Sequence, residues 1–254
     1  MTKAMKTVSS IKFSRLNSLY MGYKEYGECI LNMYKQFENE FCALYPAADQ
    51  GAPTCAVVIS SNKGLCGSFN HEILTFAENE LKGCENYRVI AVGKQTADFF
   101  AEKGAEISHT FVFDDVPTYK DAQTLLETVL EMRRNKEVSA VKVFYPQYVN
   151  MMVQKPSVYE LFKSGCCERA DDFKTLYIPD KQTVIKETAP QIFRSVVYDI
   201  LLQSATGAQA ATLLTMRSAY DTATDYCFSL SQQINRQRQS AVTADVIETS
   251  PDRR

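Results

Sequence analysis

The sequence predicts an α/β protein in which a long antiparallel coiled coil of the N- and C-terminal helices carries a central three-layer Rossmann-like α/β domain. Three observations lead there. Apolar residues near the start recur at 3-4 spacing, a nearly proline-free stretch of similar character occupies the far end, and short apolar runs alternate with helical patterns between them. The corresponding division is 1–50 for the first helix, 51–180 for the α/β domain and 181–254 for the last helix.

In the first segment, Leu16, Leu19, Tyr23, Tyr26, Ile30, Met33 and Phe37 form a narrow seam that continues to Phe41 and Leu44. Lys24, Glu25, Glu28, Asn32, Lys35 and Glu38 fall between seam positions. No proline precedes Pro46, so a single helix of about 60 Å is allowed at 1.5 Å per residue. Gly22 and Gly27 weaken it by at most about 1 kcal/mol each, which the seam outweighs.

In the last segment, Ala189-Pro190 reads as a helix start, because proline is tolerated in the first turn. Met216, Ala219, Ala223, Tyr226, Leu230 and Ile234 then repeat at seam spacing, while Ser204, Ala205, Ala208, Ala210 and Ala211 are small enough for close helix approach. Such a helix runs to about 90 Å and needs a partner, since propensity alone does not hold it. The first helix is the available partner.

Between them, strands are predicted at Cys55–Ile59, Val89–Val92, Thr110–Phe113, Ala140–Phe144 and Met151–Val153, with helices at Lys94–Lys103 and Asp121–Lys136. Buried apolar strands alternating with helices predict a mainly parallel sheet. The polar stretch from Lys163 to Asp180 carries no assignment.

Composition narrows the function. Hydrophobic residues are 45% and charged residues 23%, with a net charge of -2, which gives no overall attraction to nucleic acid or to a membrane surface. No apolar run is long enough to span a bilayer. The N-terminus lacks the apolar core of a signal peptide, so a cytoplasmic bacterial chain is expected. The eight cysteines include no C-x-x-C pair, and His71 and His109 are the only histidines. Reduced, packing cysteines without a metal are therefore expected.

Gly64-Leu65-Cys66-Gly67 lies between the first strand and a helical pattern beginning at Asn70. Backbone N–H groups and a helix dipole make such turns suited to phosphate. Neither G-x-G-x-x-G nor G-x-x-x-x-G-K-[ST] occurs, however. The reading is a tight turn needing positive φ, with a nucleotide-binding enzyme as the alternative. Cys66 has no acid–histidine constellation to activate it. Lys3, Lys6, Lys12, Arg15 and Lys24 all precede the first acidic residue, Glu25, and form either a solvated face or a contact for an acidic surface. Asn235-Arg236-Gln237-Arg238-Gln239 concentrates guanidinium and amide groups suited to carboxylates and carbonyls. Nucleic acid fits poorly, because no aromatics are interleaved.

Three blocks, in order, resemble the gamma (central-stalk) subunits of F-type ATP synthases: Thr2-Lys3-Ala4-Met5-Lys6-Thr7-Val8, Ile59 to Asn70 with Lys63-Gly64-Leu65-Cys66-Gly67 at its centre, and Asn235 to Thr243 with Glu248 beyond it. The resemblance implies a rotor subunit without cofactor, metal or catalytic residues. Its shaft would turn inside a head of alpha and beta subunits, and its foot would sit with the epsilon subunit on the membrane ring of c subunits. This places the chain at the cytoplasmic face of the bacterial plasma membrane. By motif match, Met5, Lys6, Arg238, Gln239 and Thr243 fall where the family's shaft meets the head, and Gly64, Leu65, Cys66 and Gly67 form its structural turn. Relative to the family pattern, the start lies roughly four or five helical turns inside the usual first helix. Ala208 and Thr212 stand where the family has a Glu and an Arg, Tyr220 and Thr222 stand for a Thr and an Asn, and Ser68 stands for a glycine. A generic coiled-coil scaffold is the third reading.

Overall fold

The computed structural model describes residues 2–37, 44–45, 52–84, 86–162, 178 and 180–249. Its elements are α1 (Thr2–Gln36), β1 (Thr54–Ile59), α2 (Phe69–Leu81), β2 (Tyr87–Val92), α3 (Lys94–Glu102), β3 (Ile107–Phe111), α4 (Tyr119–Arg134), β4 (Val141–Tyr148), β5 (Gln154–Leu161) and α5 (Lys181–Thr249).

The strands form one sheet in the order β3-β2-β1-β4-β5. The first four are parallel and β5 is antiparallel to β4, pairing Val141 with Leu161 and Tyr148 with Gln154. Alternate residues feed two separate cores, as the two-residue period of a strand requires. Ala56, Val58, Val89 and Phe144 pack with Ile73, Leu74, Ala77 and Leu81 of α2 and Phe100 of α3. Cys55, Val57, Ile59, Ile90 and Val143 face the other way, onto Leu125, Leu126 and Val129 of α4 and Ile192, Phe193 and Val196 of α5. Three layers result, and the long C-terminal helix is part of the third. Burial pushes the Cys55 thiol up to about 12, so it is inert at neutral pH. The five cysteines within the described residues are free, while Cys42, Cys166 and Cys167 lie outside them.

The long helices pair antiparallel. Tyr23 Oη donates to the Ser195 carbonyl at 2.9 Å, Tyr34 packs its ring 5.6 Å from Phe193, and Lys6 Nζ lies 4.6 Å over the Tyr220 ring. Half of the predicted α1 seam is corrected. Leu16, Tyr23, Ile30 and Phe37 face inward, but Leu19, Tyr26 and Met33 are exposed, and Tyr20, Gly27 and Tyr34 take the places beside them. The face is turned by one residue because α1 meets the sheet as well as α5: Tyr20 packs edge-on to Tyr148 of β4, and Tyr34 approaches Tyr159 of β5. Phe41 lies outside the described residues.

Four further expectations are corrected. The last helix starts at Lys181, not at Pro190, which lies inside it. Asp180 caps it, accepting from Thr183 N at 2.9 Å and Thr183 Oγ1 at 2.7 Å. The turn containing Pro190 is held by burial of Ile185, Ala189 and Ile192, which offsets the missing backbone hydrogen bond. Met151–Val153 is the β4–β5 turn rather than a strand, closed by the Asn150 side chain accepting from Met152 N and Val153 N at 2.9 Å. The third strand lies at Ile107–Phe111, earlier than Thr110–Phe113. In the C-terminal seam, Met216 is buried, whereas Tyr226, Leu230 and Ile234 are exposed.

Candidate functional site

The Gly64–Gly67 turn follows β1 and leads into α2. Leu65 (φ 66) and Gly67 (φ 62) take the left-handed conformation; Gly64 does not, so the pair of glycines is only half explained by backbone freedom. Ser68 sits at φ -79, a value any residue adopts. Asn70, which the motif reading passed over, organises the turn: its Oδ1 accepts from Ser61 N at 3.0 Å and its Nδ2 donates to Cys66 Sγ at 3.2 Å. A buried asparagine one helical turn after a cysteine is the signal that would have revealed this bond.

This turn fastens the sheet to α5. Cys66 and Phe69 form a buried apolar cluster with Ala208 and Ala211. A Cβ on Gly67 would stand 3.3 Å from Thr215 Oγ1, and one on Gly207 would stand 3.2 Å from Phe69. Ala208 thus serves a dry contact, while Thr212 is half-buried beside it. Thr212 Oγ1 donates to the Ala208 carbonyl at 2.8 Å. A cavity of about 300 Å³ opens beside Gly67 and Ser68, but its lining is mostly apolar, with Glu72 as its one charged side chain and no lysine or arginine to meet a phosphate. The cleft at the carboxyl ends of β1 and β2, bounded by Ser60, Asn62, Gly93, Asp114 and Leu201, holds about 80 Å³, well short of the roughly 300 Å³ at which ligand pockets begin. Cys66 meets Asn70 and Ser61, not a histidine. Neither the small cleft nor the cavity at the turn offers a cationic side chain for a phosphate, so the lining does not favour the nucleotide-binding alternative.

The N-terminal basic run divides. Lys12 Nζ reaches Asp115 Oδ2 at 2.6 Å and Lys63 Nζ reaches it at 3.3 Å, joining α1, the glycine turn and the β3–α4 loop at one carboxylate. Asn62 Nδ2 ties the same loop through the Phe113 carbonyl. The hydrogen bond from Lys12, then that from Lys63, holds the Asp115 carboxyl below its ordinary value. Its contribution to stability is therefore present above the unfolded carboxylate range and is lost as pH falls through the lower folded value. Asp115→Asn should cost about 0.5–1 kcal/mol at neutral pH, since the groups are partly exposed. Urea unfolding of the two chains should show that difference shrinking on acidification; an acid-independent difference would refute the charge assignment.

The predicted head-contact residues fall into two places. Met5 and Lys6 sit at the start of α1, beside Tyr220. Arg238, Gln239 and Thr243 are exposed on α5 well beyond that point, about 27 Å further along at 1.5 Å per residue. The structure does not bring the two groups together. Thr243 Oγ1 donates back to the Gln239 carbonyl at 2.8 Å. From Thr224 onward α5 is exposed on all sides, including Tyr226, Phe228, Ile234 and Val242. Among the described residues no helix is long and apolar enough to cross a membrane.

A family model described as ATP synthase matches residues 1–250. The ATP synthase gamma chain of Rubrobacter xylanophilus is 27% identical over 260 residues, covering 97% of this chain and 89% of that one. The gamma chain of Alkaliphilus metalliredigens is 28% identical over 261 residues, covering 97% and 90%. Among solved structures, the central stalk and c-ring of Tetrahymena thermophila mitochondrial ATP synthase contains a chain similar in fold, with a TM-score of 0.68 at 20% identity, covering 86% of this chain and 99% of that one. A chain of the Euglena gracilis mitochondrial enzyme gives 0.59 at 16%, covering 93% and 91%. A match along nearly the whole sequence, together with a shared stalk fold and a glycine turn used for packing, leads to one assignment: the chain belongs to the ATP synthase family as a gamma chain, the non-catalytic rotor subunit of the F-type enzyme.

Proposed function

We propose that the chain transmits torque between a membrane ring of c subunits and a head of alpha and beta subunits, with its α/β domain at the foot beside the epsilon subunit, on the cytoplasmic face of a bacterial plasma membrane. One observation carries the reading. Beyond Tyr220, α5 continues as a single helix for roughly 40 Å, with apolar and hydrogen-bonding side chains exposed on every side. Exposed apolar side chains in such number suit a protein surface that surrounds them, and the family match along residues 1–250 supports a collar of head subunits. On this reading Arg238, Gln239 and Thr243 meet the collar at the tip, and Met5 and Lys6 meet it lower down, where both helices are present. The broad face of the domain, far from the tip, is left for the ring and epsilon.

The test is reconstitution. This chain, mixed with alpha and beta subunits of its own source, should elute as one copy per six head subunits. The double variant Arg238→Ala/Gln239→Ala should bind the head about tenfold more weakly, a loss of about 1.4 kcal/mol. Its own melting temperature should be unchanged, since both side chains are exposed. Equal affinity of variant and parent would remove these residues from the contact. A head that assembles without retaining the chain would overturn the reading itself.

A further inference from the structure

Toward the Tyr34–Phe193 end of the α1–α5 pairing, a carboxylate is packed against a glycine. Gly27 is buried, and a Cβ there would stand 3.4 Å from Asp199 Oδ1 and 3.3 Å from the Tyr23 ring. Asp199 is partly buried, and the bond it accepts comes from Gln203 Nε2, one turn along the same helix, at 2.6 Å. The groups facing it are acidic or neutral: Tyr20, Tyr23 and Glu28 from α1, and Tyr145 from β4. The nearby cation Lys24 is directed at Glu28, at 4.0 Å. Among the described residues Asp199 has no ion pair.

A charge taken from water into such a site loses hydration that one amide does not replace. We propose that Asp199 is a proton-responsive fastening of the shaft: α1 closes on α5 at Gly27 when the carboxyl is neutral, and the contact loosens when it ionises. The grip between the two helices, at the level where Tyr145 of the sheet also faces them, then follows the pH of the solution around it. Burial, reinforced by Glu28, raises the Asp199 carboxyl above its ordinary value of 3.8. A raised folded value means that the contribution to stability is complete below the unfolded value and is lost as pH rises through the folded one.

Asp199→Asn keeps the shape and removes the charge. In thermal unfolding of the full chain at pH 8 the variant should melt about 2–4 °C above the parent, and the gap should close as the pH is lowered through the raised folded value toward the ordinary value of 3.8. Hydrogen exchange should show the same trend in the α1 amides around Gly27. A gap that is constant with pH, or a variant less stable at every pH, would overturn the proposal. A measurement on the unaltered chain stands independently of the variant's folding: the carboxyl carbon of Asp199, followed by NMR, should titrate with a midpoint above 3.8, and a midpoint at or below that value would end the idea.

Discussion

Replacing Gly93 by alanine should cost the chain at least about 3 kcal/mol, combining a forbidden backbone conformation with a direct overlap. Gly93 lies between β2 and α3 at φ 104 and ψ 146, a region that side chains bearing a Cβ avoid. A Cβ built there would stand 2.5 Å from the Ser60 carbonyl oxygen and 3.0 Å from its carbon. Neither partner yields easily. Ser60 N donates to the Val92 carbonyl and Gly93 N to the Phe111 carbonyl, at 2.9 and 2.8 Å, so the clash falls between backbones already locked in the sheet. Thr96 Oγ1 adds a buried hydrogen bond to Ser60 Oγ at 2.7 Å. Urea unfolding should show the midpoint falling, and the melting temperature should drop by roughly 6–12 °C. A loss under about 1 kcal/mol would mean that β1 and β2 slide more freely than their ladder implies.

That joint matters because the rotor role depends on the domain and shaft moving together. The glycine turn, the Asp115 junction and the core shared by α4, α5 and the sheet each connect the shaft to a different part of the domain. Two of the three are apolar, so salt and pH act mainly on the third.

The first, second and fourth strands were legible from the sequence because parallel strands buried on both faces read as continuous apolar runs, as Cys55–Ile59 and Val89–Val92 do, whereas the half-exposed edge strands β3 and β5 carry no such run and were misplaced. The glycine turn was legible as a turn but not as a fastening, since its partners Ala208 and Ala211 are about 140 residues away in the chain and carry no polar signature. The α1 seam was half legible. A heptad pattern locates a helix facing one partner, and here the sheet draws the buried face toward Tyr20 and Tyr34, while Gly27, which looks like a weakness in a helix, is buried against Asp199 of α5. Pro190 misled for a related reason: local rules place proline at a helix start, and the tertiary burial of Ala189 and Ile192 overrides them. The head-contact residues came from the motif match alone, because an exposed arginine or glutamine has no spacing that distinguishes a contact from a solvated face.

Phe193→Ala should be comparably severe, at about 3–5 kcal/mol, and its effect should be directional. Phe193 is 1% exposed, with ring centroids 4.6 Å from Phe162, 5.6 Å from Tyr34 and 5.8 Å from Tyr45. Those three neighbours come from the end of β5, from α1 and from the segment after α1, so one side chain of α5 ties three parts of the chain together. Truncation to alanine leaves a cavity that rigid neighbours from separate elements cannot close, which is the condition for the upper part of that range. Phe193→Leu keeps most of the volume and should lose less than half as much. In hydrogen exchange, the alanine variant should loosen α1 near Tyr34 before the α2-side core, because Ile73, Leu74 and Phe100 belong to the other face of the sheet. Equal loosening of both faces would mean that the two cores unfold as one unit and that Phe193 is not a specific tie between domain and shaft.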